Sequence, residues 1–129
     1  MDIFETKITV KESDLDELNH VNNIRYVEWV QEIAKQHWFK KAKPNILNTC
    51  FWVMTNHCIE YKNPALLNDS LNIKTYIKSN EGDISTRIVE ISNGQSNVLI
   101  AKSETKWCLI SIKTKRPVRI TEDITQLFE

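Results

Sequence analysis

Residues 3–12 alternate. Phe4, Thr6, Ile8 and Val10 fall on one side while Glu5, Lys7 and Lys11 fall largely on the other, which is the period of a half-buried strand. Residues 13–20 break the alternation. From Asn22 the period lengthens: Arg25, Glu28, Gln31, Glu32, Lys35 and Gln36 share one narrow helical stripe, and Ile24, Tyr26, Val27, Trp29, Val30, Ile33, Ala34 and Trp38 fill the remainder. A helix resting on a flat sheet needs an apolar stripe of about 100°, so the wider arc predicts a helix covered on more than one side. Asparagine is among the best N-cap residues, which places the start at Asn22 or Asn23, and Pro44 bounds the end. Roughly 18 helical residues span about 27 Å, the length of a strand of about eight residues.

Four further stretches rich in Ile, Val, Thr, Tyr and Trp read as strands: 49–61, 71–78, 84–91 and 98–112. Turn chemistry separates them. Asn63-Pro64 and the Asn68, Asp69, Ser70 cluster follow the first, Gly82 lies between the second and third, and Asn93-Gly94 between the third and fourth is a tight-hairpin signal. The last three strands therefore form an antiparallel meander. Pro117 stops the last one, and residues 121–128 suit a short terminal helix with Glu122 and Asp123 in its first turn. One strand, one long helix and four strands is an α+β order, in which a curved antiparallel sheet wraps around one long central helix. Two open sheet edges remain, and pairing two sheets edge to edge is the simplest way to close one of them.

A chain of 129 residues can bury a real core as one domain, 1–129, without disulfides. Its composition, 41% hydrophobic and 26% charged with only two glycines, excludes disordered and collagen-like classes. The formal net charge of zero is unlike the footprint of a nucleic-acid binder. Lys113, Lys115, Arg116 and Arg119 make a local basic edge that reads first as solvated surface and second as an attractor for phosphates or an acidic carrier protein. Cys50, Cys58 and Cys108 are an odd set without CxxC spacing, as expected in a reducing compartment; no signal peptide or apolar span is expected, and the cytoplasm is the default.

The chemistry concentrates in residues 13–29, SDLDELNHVNNIRYVEW, where Asp14, Asp16, His20 and the consecutive Asn22-Asn23 stand at or just ahead of the helix start. Unpaired N–H groups and the helix dipole favour negative charge there, and donors aimed at a developing oxyanion lower a barrier by ~3 kcal/mol. A carboxylate beside them can attack or activate water. The commonplace alternative is that Asp16 satisfies backbone amides in a turn and that Asn22 and Asn23 are only caps. Calcium is excluded because Leu18, Asn19 and Arg25 stand where the DxDx[DN]G loop needs its later positions. His20, His37 and His57 with Cys50 and Cys58 lack zinc-ligand spacing, and no base is placed beside a cysteine, so neither a metal, a cofactor nor a thiol nucleophile is assigned.

The run DLDELNHVNNIRYVEWVQEIA resembles the helix-start segment of hotdog-fold thioesterases, both the 4-hydroxybenzoyl-CoA type and the plant acyl-ACP type, through Asp16, His20-Val21-Asn22-Asn23 and Tyr26. YKNPALLND, residues 61–69, is similar to that family's second signature. The resemblance implies hydrolysis of an acyl-CoA or acyl-ACP thioester by a homodimer or homotetramer. It makes Asp16 the nucleophile or general base and the Asn23 backbone amide the oxyanion donor. His20, Asn22 and Tyr26 then orient the loop or the substrate. Asn19 stands where many small members have glycine, and Leu18 and Pro64 stand where the plant-type enzymes have an asparagine and a glutamate, which favours a mechanism carried by one acid. Asp14 lies outside the matched positions and reads as solvated or turn-stabilising. Two other functions compete: a hydratase or dehydratase, for which no GDxNPxH-like run exists, and a non-catalytic binder of acyl thioesters.

Overall fold

The computed structural model describes residues 1–129. Its elements are β1 (Phe4–Thr9), a 3-10 turn (Glu12–Asp14), α1 (Asn23–Lys41), α2 (Pro44–Leu47), β2 (Cys50–Tyr61), β3 (Ser70–Glu81), β4 (Ile84–Asn93), β5 (Leu99–Ser111) and α3 (Glu122–Thr125), which runs into a last 3-10 turn, Gln126–Phe128. The architecture is α+β, with one five-stranded antiparallel sheet in the order β1-β3-β4-β5-β2. The meander β3-β4-β5 forms in the predicted strand order. The two edges are β1 and β2.

Local chemistry accounts for the ends of the 19-residue α1. Asn22 is extended and its side-chain oxygen accepts the Ile24 N–H at 3.0 Å, satisfying one of the amides that a helix start leaves unpaired. At the other end Lys40 and Lys41 complement the dipole, and Pro44 opens the next helix because it needs no N–H partner there. Between these ends the helix buries Tyr26, Trp29, Val30 and Ile33 in a cluster with Leu71, Ile73, Val89, Ile91, Ile100 and Ala101 of the sheet. Its last turns, through Trp38, belong to a second cluster closed by Ile120, Ile124 and Phe128 of the C-terminal segment. The broad apolar arc is thus shared between the sheet and the C-terminal segment.

Three positions depart from the pattern. Ile24, counted with the apolar face, is 68% exposed, because the loop that covers the first turn meets Tyr26 instead. His37, outside both the polar stripe and the apolar set, has no exposure at all. Asn93-Gly94 does not make a two-residue hairpin: Asn93 Oδ1 caps the amides of Gln95 and Ser96, and Asn97 adopts the left-handed φ of 61°. Space is tight at Gly94, since a Cβ there would lie 3.1 Å from the Ser70 carbonyl oxygen. No helix is long and apolar enough to cross a membrane.

Ile33 is 1% exposed at the centre of the helix–sheet contact. Ile33→Ala is expected to cost about 3 kcal/mol through lost transfer energy and a residual cavity. Urea unfolding checks this; a change below about 1 kcal/mol would show that the layers close up around the gap.

Candidate active site

The segment ahead of α1 is a small chain reversal. Leu15 pairs with Val21 as an antiparallel bridge, the Asp16 N–H donates to the His20 carbonyl at 2.8 Å, and the Asn22 N–H donates to the Asp14 carbonyl at 2.9 Å. Asn19 turns the chain with a φ of 61°, a left-handed conformation that asparagine tolerates well, so the glycine of related sequences is not needed here. The reversal stands Asp16 opposite His20, beside the helix start.

Asp16 is half-buried. Its Oδ1 accepts the Leu18 N–H at 2.9 Å and the His20 N–H at 3.2 Å, while Oδ2 has no protein partner. The commonplace role, satisfying turn amides, is therefore real, but it occupies one oxygen only. The other is left free on a carboxylate whose orientation is locked. Asn23 begins the helix, and its amide has no carbonyl one turn earlier to bond. His20 is exposed with an unpaired ring, and Asn22 spends its side-chain oxygen on the cap.

Tyr26 is only 3% exposed. Its hydroxyl accepts the Ala65 N–H at 3.2 Å, and its ring meets Trp29 edge-on and Tyr61 at a tilt. Burial pushes its phenol above the ordinary range, so it stays protonated with a hydrogen to donate. The second signature reaches the first through these contacts: the Val21 N–H donates to the Ala65 carbonyl at 3.1 Å, and the Tyr61 hydroxyl points at the Asn23 carbonyl. Two motifs about 40 residues apart in sequence form one site wall.

Asp14, expected to be solvated or turn-stabilising, is the latter. It is 6% exposed, accepts the Lys11 N–H and the Arg25 Nε–H at 2.8 Å each, and so clamps the turn to the helix. Arg25, on the polar stripe of α1, also approaches Glu28 and Glu32 and lies over the Trp29 ring.

A second polar cluster lies far from Asp16 and was not singled out from the sequence. His37 Nε2 and Asp2 Oδ2 are 2.6 Å apart, and Arg87 Nη1 lies 2.9 Å from His37 Nδ1 and 3.0 Å from Thr75 Oγ1. Arginine only donates, so His37 Nδ1 must accept and Nε2 must carry the proton that reaches Asp2. Lys41 pairs with the other oxygen of Asp2 at 3.1 Å. Phe4 stacks on the imidazole and Phe128 meets its edge. Burial pushes the Arg87 guanidinium down to about 10, which leaves it charged at neutral pH. One signal for this cluster was present: His37 falls at i, i+4 from Ile33, on the buried face. No group of three His, Cys, Asp or Glu side chains is disposed to hold a metal ion.

A helix packed on a five-stranded antiparallel sheet is the arrangement that this chain shares with hotdog-fold thioesterases. The chain belongs to the acyl-ACP thioesterase family, whose N-terminal domain matches residues 2–128, and it is a thioester hydrolase. It is 25% identical over 128 residues to the long-chain acyl-CoA thioesterase FadM of Escherichia coli (strain K12), covering 97% of this chain and 96% of that one. Among solved structures, an aspartate-to-asparagine mutant of 4-hydroxybenzoyl CoA thioesterase complexed with 4-hydroxybenzoyl CoA shares the fold with a TM-score of 0.89 at 13% identity, covering 100% of both chains. The probable thioesterase YbaW from Escherichia coli does so with 0.88 at 24% identity, over 97% of this chain and 98% of that one.

Burial holds the His37 imidazole below its ordinary value, against the pull of its bond to Asp2, and burial also lowers His57. For such a group the unfolded state binds the proton more tightly. The stabilisation is therefore complete above the unfolded value near ~6.5 and is lost as pH falls below it. Burial alone would raise Asp2, but its bonds to His37 and Lys41 hold it low, which extends the loss to more acidic pH. The urea midpoint is expected to be level between about pH 8 and 7 and to fall between about 6.5 and 5. A midpoint that rises over that lower interval would contradict the cluster's charge state.

Proposed function

We propose that the protein hydrolyses acyl-CoA thioesters to the free acid and CoA, with Asp16 as nucleophile or as general base for water and the start of α1 as the oxyanion site. The observation that carries this reading is the asymmetry of the Asp16 carboxylate: Oδ1 is held by two amides and Oδ2 is free. A locked carboxylate loses little freedom on reaching a near-attack geometry, which is where positioned groups contribute most to rate. Charge developing on the thioester oxygen would meet the Asn23 N–H and the positive end of the helix dipole, a stabilisation of roughly 3 kcal/mol.

The other residues have supporting parts. His20 and the free amide nitrogen of Asn22 flank the approach to Asp16 and orient substrate. Tyr26 acts from beneath by holding Ala65 against the helix start. CoA is favoured over a carrier protein because FadM is named for acyl-CoA and the 4-hydroxybenzoyl CoA thioesterase structure holds a CoA thioester. The free thiols of Cys50, Cys58 and Cys108 suit a reducing, cytoplasmic setting, and the whole chain acts as one hotdog domain whose curved sheet wraps α1.

Asp16→Asn removes the reactive oxygen but retains an acceptor for the Leu18 and His20 amides. It is expected to lower kcat on a long-chain acyl-CoA by at least about 100-fold with an unchanged urea midpoint, whereas Asp14→Asn is expected to lower the midpoint through its lost pair with Arg25. Steady-state thiol release and unfolding curves separate the two. Full activity of Asp16→Asn would remove the proposed mechanism, and acyl-CoA binding without turnover by the wild-type chain would select the non-catalytic reading.

The edge strand β2 leaves Phe51, Val53 and Tyr61 exposed and encloses His57 Nε2 without a partner. Pairing of two β2 edges would cover this strand and bring a second chain beside the Tyr61 end of the site. Sedimentation is therefore expected to give a dimer or tetramer of the 15.1 kDa chain, and a fully active monomer would overturn this.

A further inference from the structure

A cavity of about 400 Å³ opens at the end of the molecule opposite Asp16, between the last turns of α1, the start of β2 and the C-terminal turn. Its volume is in the range of small-molecule sites. Trp38, Leu47, Phe51, Trp52 and Phe128 make much of the wall, and Arg87 lies in it. A charge is unexpected in such walls, and this one is 5% exposed. Arg87 makes no ion pair of its own; Asp2 reaches it only through neutral His37.

The guanidinium is half used. Nη1 serves His37 and Thr75, while Nε and Nη2 meet no protein acceptor. They are not sealed off either, since the fully enclosed unsatisfied side-chain atoms are His57 Nε2 and Ser103 Oγ. Nε and Nη2 form one edge of the guanidinium fork, the geometry that a carboxylate meets with two parallel hydrogen bonds. Leaving a buried charge without a counter-ion is costly, and one carboxylate would relieve that cost. A phosphate monoester would bring roughly two negative charges against this single buried cation.

We propose that this cavity binds a molecule carrying one carboxylate on an apolar body, with the carboxylate on Nε and Nη2 of Arg87 and the body along the tryptophan-rich wall. His37 and Thr75 are positioning residues that hold the guanidinium edge toward the cavity. His37 lies 14 residues beyond Asn23 on α1, about 21 Å along the helix, so the site is separate from Asp16 of the same chain. Such a carboxylate has two sources: a free carboxylic acid, the product class of the proposed reaction, or an acyl thioester whose far end is itself a carboxylate. The binding claim does not rest on the Asp16 chemistry.

Titration of the purified protein with dodecanoate and with dodecanol, read by calorimetry and by the fluorescence of the tryptophans in the wall, tests the assignment. Dodecanoate is expected to bind at least about ten-fold more tightly than dodecanol, a preference that Arg87→Met abolishes and Asp16→Asn leaves intact. Equal affinities in the wild type, no binding of either, or an unchanged preference in folded Arg87→Met would overturn the proposal. Should Arg87→Met fail to fold, the Arg87 Nε–H resonance of the wild type decides: it must shift with dodecanoate and not with dodecanol. Thioesters with a carboxylate-ended and a methyl-ended acyl chain then identify the source. A KM at least about ten-fold lower for the first assigns the carboxylate to the substrate, and equal KM values with dodecanoate bound assign it to the free acid.

Discussion

Ala65 is the point on which the site depends. It has no exposure, its carbonyl accepts the Val21 N–H, and its N–H donates to the Tyr26 hydroxyl. Buried backbone groups must be paired, so these two bonds leave the loop after β2 one position against the start of α1. Removing either bond would leave a buried polar group unsatisfied at a cost of about 1–3 kcal/mol. The reversal that carries Asp16 is held from one side by this contact and from the other by the Asp14–Arg25 pair. These contacts fix the frame that bears Asp16, whose own two turn bonds fix one oxygen only.

The molecule treats its buried charges in two ways. Asp14 is fully used: one oxygen takes a guanidinium and the other an amide, so the pair serves as a clamp. Arg87 keeps only part of its hydrogen-bonding capacity inside the protein, and its counter-charge stands one imidazole away. The first arrangement costs little because every polar atom has a partner. The second leaves Nε and Nη2 without a protein acceptor on a residue that lines an apolar cavity, which suits recognition better than rigidity.

The order of elements, the limits of α1, the meander and the capped polar segment ahead of the helix were legible in the chain because each rests on short-range physics. Asparagine caps, proline stops, a period of two and a period near 3.6 act over a few residues and leave a mark at each position. The partner of Asp14 was not legible because its pairing with Arg25 spans eleven positions and joins a turn to a helix. Asn93-Gly94 was misread because the turn is closed by the Asn93 side chain and the left-handed Asn97, and the tight space at Gly94 comes from the Ser70 carbonyl of another strand.

The sequence by itself determined the α+β order, the capped helix and the Asp16 to Tyr26 segment, since local propensity and spacing suffice for these. Tertiary structure decided which oxygen of Asp16 is free, that Tyr26 braces the loop and that His37 joins Asp2 to Arg87. Those facts depend on which groups from distant positions meet once water is excluded. Asp2, His37 and Arg87 come from the N-terminal segment, α1 and β4 and share no local pattern. Only the packing of helix on sheet brings an acid, an imidazole and a guanidinium into one line.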